Sequence, residues 1–273
     1  MKKFFCSFLF LLIFQNIFAQ DIENINLIFE KISNEENDTV KMVLNESIKE
    51  ILEDFFKNEK SFSADFKQVK NVGKITSKDN FVNIYTWNIL LEKSVLFNCF
   101  IQQKNGKVDY MSQKNCYKPT ENQTVSPNNW YGALYYQIAP FKRNSKTYYV
   151  LAGYGQYQPE TKIKVLEVLD LHNDTLLFGS PVFMKENKIA YSRIVFEYDV
   201  NSSMYLEYNE KKRRFEFDHL VPMRVEDGEV VSFGPDTDID GYKLDGEYWY
   251  FVDNLKIKNQ ITKRVKFQKP KFQ

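Results

Sequence analysis

Hydrophobic positions change their spacing twice along this chain. Phe4–Phe14 is an almost unbroken apolar run, preceded by Lys2 and Lys3. From Asp21 to Asn58 the spacing becomes helical. Ile22, Ile25, Phe29 and Ile32 line one face of a first predicted helix; Val40, Val43, Leu44, Ile48, Ile51, Leu52, Phe55 and Phe56 line one face of a second. Asn37 or Asp38 is placed to cap the second helix and Asn58 to end it. Glu46, Lys49, Glu50, Glu53 and Lys57 give it a solvated back. An apolar stripe of this kind most often covers a sheet, so the pattern predicts a helical hairpin packed on one.

From Ser61 the period drops to two. Strands are predicted at Phe62–Val69, Lys74–Ser77, Phe81–Trp87, Val95–Gln103 and Val108–Gln113, separated by short polar turns. Lys104-Asn105-Gly106-Lys107 reads as a tight hairpin, and a two-residue turn at Asn105-Gly106 would set Cys99 opposite Ser112. Cys116 would then lie roughly 13 Å further along, too far for a bridge unless the loop folds back. Lys114–Asn129 is the expected long loop, and Trp130–Ala139 fits either a helix or a strand. Strands resume at Thr147–Tyr154, Ile163–Leu171, Leu176–Phe178 and Val182–Met184. A three-stranded unit follows at Tyr191–Asp199, Met204–Tyr208 and Arg214–Leu220. No repeat recurs at a fixed period. The expected fold class is α+β, mostly β: antiparallel meander sheets with an N-terminal amphipathic helical hairpin. Residues 21–60 form the helical segment, 61–257 a β-rich domain with a break near 114–146 if it is two-lobed, and 258–273 a basic tail.

The first apolar run is too short to span a bilayer. With its basic start and the small-residue site at Ala19, residues 1–20 read as a signal peptide. The expected location is therefore outside the inner membrane, in the periplasm or at the cell surface, with no membrane-integral segment in the mature chain. Losing Lys2 and Lys3 takes the formal net charge from +1 to −1. A near-neutral chain gives no electrostatic case for a nucleic-acid partner. The tail Lys256–Gln273 carries seven basic residues and no carboxylate; it reads as solvated, or as docking to an acidic surface polymer.

Candidate chemistry concentrates in Phe233–Trp249. Asp236, Asp238 and Asp240 alternate, Gly241 follows, and Glu247 comes six residues later, which matches a calcium-loop pattern. Three carboxylates, the Tyr242 carbonyl and a bidentate Glu247 would supply the oxygens a hard cation needs. Lys243 departs from that pattern, and the β-branched, aromatic flanks are not those of an EF-hand. The alternative is a hairpin loop whose acids cap turns and face water. Trp130, Tyr131 and Trp249 are candidates for stacking on a ligand, with core burial as the alternative.

Thr86-Trp87-Asn88, Phe178-Gly179-Ser180-Pro181-Val182-Phe183, Ile194-Val195-Phe196-Glu197-Tyr198, Asp218-His219-Leu220 and Phe233-Gly234-Pro235-Asp236 with Asp240-Gly241 occur in this order. Together they resemble an uncharacterised family of secreted envelope proteins from Gram-negative bacteria, most closely between Tyr148 and Phe251. The resemblance implies an envelope location and no assigned activity. The family pattern has no acid equivalent to Asp238.

Two histidines exclude a zinc site built on several imidazoles. No nucleophile elbow, P-loop or dinucleotide fingerprint is present. Arg193, Glu197, Asp218 and His219 form a candidate polar cluster if the sheet collects them. Adjacent strand residues point to opposite faces, so Asp218 is not expected to orient His219 directly. The functional expectation is a binding or structural role toward an envelope or extracellular ligand. The alternative is a hydrolase with two carboxylates, Glu197 and either Asp218 or Asp236.

Overall fold

A computed structural model describes residues 20–113, 117–172, 174–185 and 189–255. Residues 1–19 of the segment read as a signal peptide, Cys116 and the tail Lys256–Gln273 lie outside the described residues. The fold is α+β and mostly β, with a helix pair at the N-terminus followed by antiparallel sheets, as the spacing predicts.

Helix α1 covers residues 20–34 and α2 covers Asp38–Phe56. Asn37 caps α2 by accepting from the Thr39 and Val40 N–H groups. A four-stranded sheet follows: β1 (Gly73–Thr76), β2 (Val82–Leu90), β3 (Val95–Gln103) and β4 (Val108–Ser112), paired in that order. A five-stranded sheet holds β5 (Leu134–Arg143), β6 (Lys146–Gln158), β7 (Thr161–Asp170), the two-residue β8 (Leu177–Phe178) and β11 (Arg193–Asp199), in the order β11-β7-β6-β5 with β8 on β7. A six-stranded sheet runs β10-β9-β15-β14-β13-β12. Its strands are β9 (Phe183–Met184), β10 (Ala190–Tyr191), β12 (Leu206–Asn209), β13 (Arg214–Glu226), β14 (Glu229–Asp245) and β15 (Tyr248–Val252). The β9–β15 pairing is parallel and the other ladders are antiparallel.

Alternation along the strands sorts the side chains into three cores. The α1 and α2 stripes meet Tyr85, Trp87, Ile89 and Phe100 on one face of the first sheet. Its other face, with Val82, Ile84, Phe97, Cys99 and Ile101, meets Tyr135, Tyr149, Leu151 and Val165 of the second. The opposite face of the second sheet, with Val150, Ala152, Leu166, Ile194 and Phe196, meets Phe215, Phe217, Tyr242 and Trp249 of the third. The order of layers is helix, sheet, sheet, sheet. The middle sheet is therefore buried on both faces, so its strands read as continuous apolar runs such as Tyr149–Ala152.

Polar side chains lock the helix layer onto the first sheet. Asn45 of α2 accepts from the Trp87 indole N–H at 2.7 Å and from the Asn98 amide at 3.2 Å. Gln102 donates to the Ser61 hydroxyl at 2.8 Å and accepts from Tyr85 at 3.0 Å. All six residues are buried, so each bond replaces one lost to water.

Several expectations are corrected. Phe62–Val69 is not a strand. Asn58 caps a short 3₁₀ turn at Glu59–Ser63, and side chains satisfy the backbone beyond it: Asp65 accepts from Lys67 N–H and Asn26 from Lys70 N–H. Phe66 and Val69 still reach the core from these turns. The β3–β4 turn has three residues, with the Gly106 N–H bonded to Gln103 O at 3.0 Å and Gly106 at φ +92°. The register therefore sets Cys99 opposite Met111, not Ser112. Cys99 is free and buried. Of Trp130–Ala139, Leu134–Ala139 is a strand, the first part of β5, and Trp130–Ala133 is a buried loop leading into it. The expected three-stranded unit divides, since β11 joins the middle sheet while β12 and β13 join the outer one. In α2 the buried stripe comprises Ile48, Leu52, Phe55 and Phe56, whereas Val43 is 63% exposed.

Leu52→Ala should therefore cost about 2–5 kcal/mol, and Val43→Ala should change stability by less than about 0.5 kcal/mol. Urea midpoints at constant m-value would measure both. An equal loss in the two variants would mean that the whole predicted stripe is packed.

Candidate functional site

The β13–β14 ladder is regular from Arg214↔Lys243 to Asp218↔Ile239 and resumes at Leu220↔Pro235. A single residue, His219, thus faces three, Asp236–Asp238. Pro235 has no N–H to give the ladder, and Asp236 turns the backbone by accepting from the Asp238 N–H at 2.8 Å. The result is a β-bulge, a feature that re-aims side chains. His219 donates its Nδ1–H to Asp240 Oδ2 at 2.7 Å, and Asp240 Oδ1 accepts from the Asn254 N–H at 3.0 Å. Asp240 is buried, and His219 has a side-chain exposure of 46%. Gly241 makes this possible: a Cβ there would lie 2.6 Å from Phe215 O and 2.8 Å from Leu255 Cδ1.

Beside the pair opens a cleft of about 540 Å³ between β11 and the bulged strands. Ile194, Phe196, Phe217, Tyr242 and Phe251 supply its apolar lining; Glu121, Lys185, Asp218, His219 and Asp240 supply its polar groups. Glu121 comes from the 117–125 loop, whose Glu121 carbonyl accepts from the Ser192 and Arg193 N–H groups at 2.8 and 3.1 Å. Its carboxylate accepts from Lys185 Nζ at 2.7 and 2.9 Å. Asp218 Oδ2 accepts from the Tyr205 N–H at 2.7 Å. A second groove of about 580 Å³ is lined by Tyr136, Tyr154, Lys164, Tyr205 and Glu207 and shares Asp218 with the first.

Two groups in the cleft are shifted. The hydrogen bond from Asp240 raises the His219 pKa, burial opposes it, and the charges of Asp240, Asp236 and Asp238 add to the rise. Burial raises the Asp218 pKa; the Tyr205 N–H and Lys164 oppose it, and Asp236 adds to it.

The expected polar cluster is only half assembled. Asp218 and His219 line the cleft without bonding each other. Glu197 bonds Lys118 and the Thr161 hydroxyl instead. Arg193 is buried in the middle sheet, where its Nη2 donates to Glu167 Oε2 at 3.3 Å and to Phe178 O at 3.1 Å, and its Nη1 to Thr120 O at 2.9 Å. Both partners of the Arg193–Glu167 pair have 0% side-chain exposure. Tyr135 donates to Glu167 and accepts from the Trp130 indole at 2.9 Å. Burial is the largest single influence and disfavours the guanidinium charge, but Glu167, Tyr131 and Tyr135 together outweigh it and hold the group above its ordinary pKa. Gly179, at φ +99°, lets the chain pass: a Cβ would lie 2.5 Å from Gln123 O and 3.1 Å from Arg193 Nη2.

Trp130, Tyr131 and Trp249 are core residues at or below 1% exposure, which removes them as stacking surfaces for a ligand. The acidic stretch is part of the long strand β14. Its members do not converge: Tyr242 packs its ring into the third core, and Glu247 accepts from the Asn144 N–H at 2.7 Å at the β14–β15 turn. Among the described residues no group of three or more His, Cys, Asp or Glu side chains is placed to hold a metal ion, and no helix is long and apolar enough to cross a membrane. Sequence reading missed Glu121, Lys185 and Phe251 as cleft residues, and Asp240 as the partner of His219. The candidate pair Asp218-His219 and the acidic stretch Asp236–Asp240 are the sequence signals that point to this place. Comparison with protein-family models, curated proteins and solved structures finds no match to any of them.

A raised His219 pKa means that the folded state favours the imidazolium. The stability from this pair is therefore fully present below the unfolded value of about 6.5 and is lost as pH rises through the folded value. NMR titration of the His219 Cε1–H should place its midpoint above 6.5, with Asp240→Asn lowering it; an unchanged midpoint in that variant would dissociate the shift from Asp240. In the core, Arg193→Met should strand the Glu167 charge and cost about 3–5 kcal/mol. Arg193→Met with Glu167→Leu should recover part of that in chemical denaturation.

Proposed function

We propose that this is a ligand-binding protein of the cell envelope or extracellular space, with the cleft beside His219 as its binding site. The observation that carries this reading is the composition of that cleft. Aromatic and aliphatic side chains make up most of its lining, together with a few hydrogen-bonded polar groups, the composition expected of a small-molecule site. Among the described residues its lining contains no Ser, Thr or Cys. The carboxylate pairing needed for glycoside hydrolysis has no support either, because Glu197 is engaged with Lys118 and Thr161. The extracytoplasmic assignment rests on the basic start, apolar run and Ala19 site of residues 1–20, and on the resemblance to secreted envelope proteins.

A hydrolase reading retains one supporting observation. His219, oriented by Asp240, leaves its Nε2 edge for a water molecule.

A neutral aromatic probe separates a working cleft from an idle one. Benzyl alcohol should bind at roughly millimolar affinity and move the NMR signals of His219 and Phe251. Leu220→Trp, which narrows the cleft, should weaken that binding without loss of the folded spectrum. Shifts scattered over the surface, or none, would place the function elsewhere.

A further inference from the structure

We propose that the cleft recognises an organic cation: an ammonium or guanidinium group attached to an apolar body that lies on the aromatic lining. This inference rests on the cleft being a binding site and adds the chemical class of its ligand.

The first argument is charge balance. Of the charged groups that line the cleft, Lys185 is matched by Glu121 and the His219 imidazolium by Asp240. Asp218 is left over. Its side chain has the Tyr205 N–H as its hydrogen-bond donor, and Lys164, whose charge acts on it, belongs to the neighbouring groove. Asp236 and Asp238 add two further carboxylates across the bulge from His219. Burial and Asp236 both penalise the Asp218 charge, and a bound cation relieves both penalties at once.

The second argument is the surface on which the body of the ligand would rest. Phe196 and Phe217 have ring centroids 4.5 Å apart, Phe217 and Tyr242 are stacked at 5.9 Å, and Tyr242 meets Phe251 edge-on at 5.7 Å. Aromatic faces attract cations through their quadrupole, most strongly where water is excluded. The protein uses the same contact at both flanks of the cleft: Lys185 Nζ lies 4.5 Å from the Tyr191 centroid, and Lys164 Nζ 5.1 Å from that of Tyr136. An aromatic lining with surplus carboxylate beside it discriminates by charge, where an apolar cleft alone would not.

His219 makes the preference depend on pH. An imidazolium in the cleft repels a second cation, so binding should strengthen as pH rises through the His219 midpoint. The other charged side chains lining that space are Asp218, Asp240, Glu121 and Lys185, with Asp236 and Asp238 exposed across the bulge. By reciprocity, binding a cation must lower the His219 midpoint.

The test uses the full-length chain and three probes of similar shape: benzylamine (an ammonium at neutral pH), benzyl alcohol and benzoate. NMR titrations at pH 7.5 should show benzylamine binding about tenfold more tightly than benzyl alcohol, a ratio within the range of cation–π and charge contacts, with benzoate weakest. Asp218→Asn should shrink that ratio severalfold. Benzylamine should lower the His219 midpoint, and benzyl alcohol should leave it where it is. Equal affinities for benzylamine and benzyl alcohol, or a preference for benzoate, would overturn the cation inference while the binding-site reading survived. Failure of all three probes to bind would end both.

Discussion

One sheet in this fold has no face to spare for water. The middle strands β5, β6, β7 and β11 are covered on one side by the first sheet and on the other by the third, so the polar groups buried between the layers must be satisfied by protein. Arg193 and Glu167 are the severest case, being fully buried. A buried charge pair is weak evidence of net stability; its value here is geometric. The guanidinium reaches the Phe178 and Thr120 carbonyls as well as Glu167, so one side chain ties β11 to β7, to the short β8 and to the 117–125 loop. That loop brings Glu121 to the edge of β11. The core ion pair and the cleft are thus parts of one construction.

The helical hairpin was legible because its signal is local: a 3.6-residue period, a capping Asn37 and a charged back. The sheets were legible as strands but not as partners. A strand with one wet face alternates, whereas Tyr149–Ala152 and Val165–Leu166 are buried on both faces and carry no polar period to say which layer lies where. Chain adjacency then suggested grouping β11 with β12 and β13. The chain instead crosses from one sheet to another at Val200–Tyr205, a choice made by which cores need filling. Phe62–Val69 misled for a related reason, since alternating apolar residues pack equally well from consecutive turns when Asn26 and Asp65 serve the backbone.

At the site, sequence reading named Asp218 and His219 but gave His219 no partner. The β13–β14 register explains the gap. Regular pairing would carry on past Asp218↔Ile239 and set His219 against Asp238. The bulge at Pro235–Asp238 and the diagonal reach to Asp240 depend on tertiary geometry that no spacing rule contains. The alternating aspartates, read as ligands for one ion, serve separate ends: Asp236 shapes the bulge, Asp240 anchors the imidazole and the Asn254 backbone, and Glu247 fastens the Asn144 turn. The three large aromatics named as stacking candidates, with core burial as the other reading, are the residues a multi-layered β protein most needs inside it.

The third sheet has a consequence for the order in which the molecule is made. Its strands do not follow the chain: β15 lies between β14 and β9, and β9 with β10 reaches the sheet only through it. A ribosome delivers residues in sequence, so Phe183 must wait for its register partner Trp249. Until Tyr248–Val252 arrive, the inner edge of β14 stays open and the third core lacks its central indole, a state in which strand edges are prone to pair with the wrong neighbour. The fold therefore closes as an arch does, with one of the last pieces set in the middle.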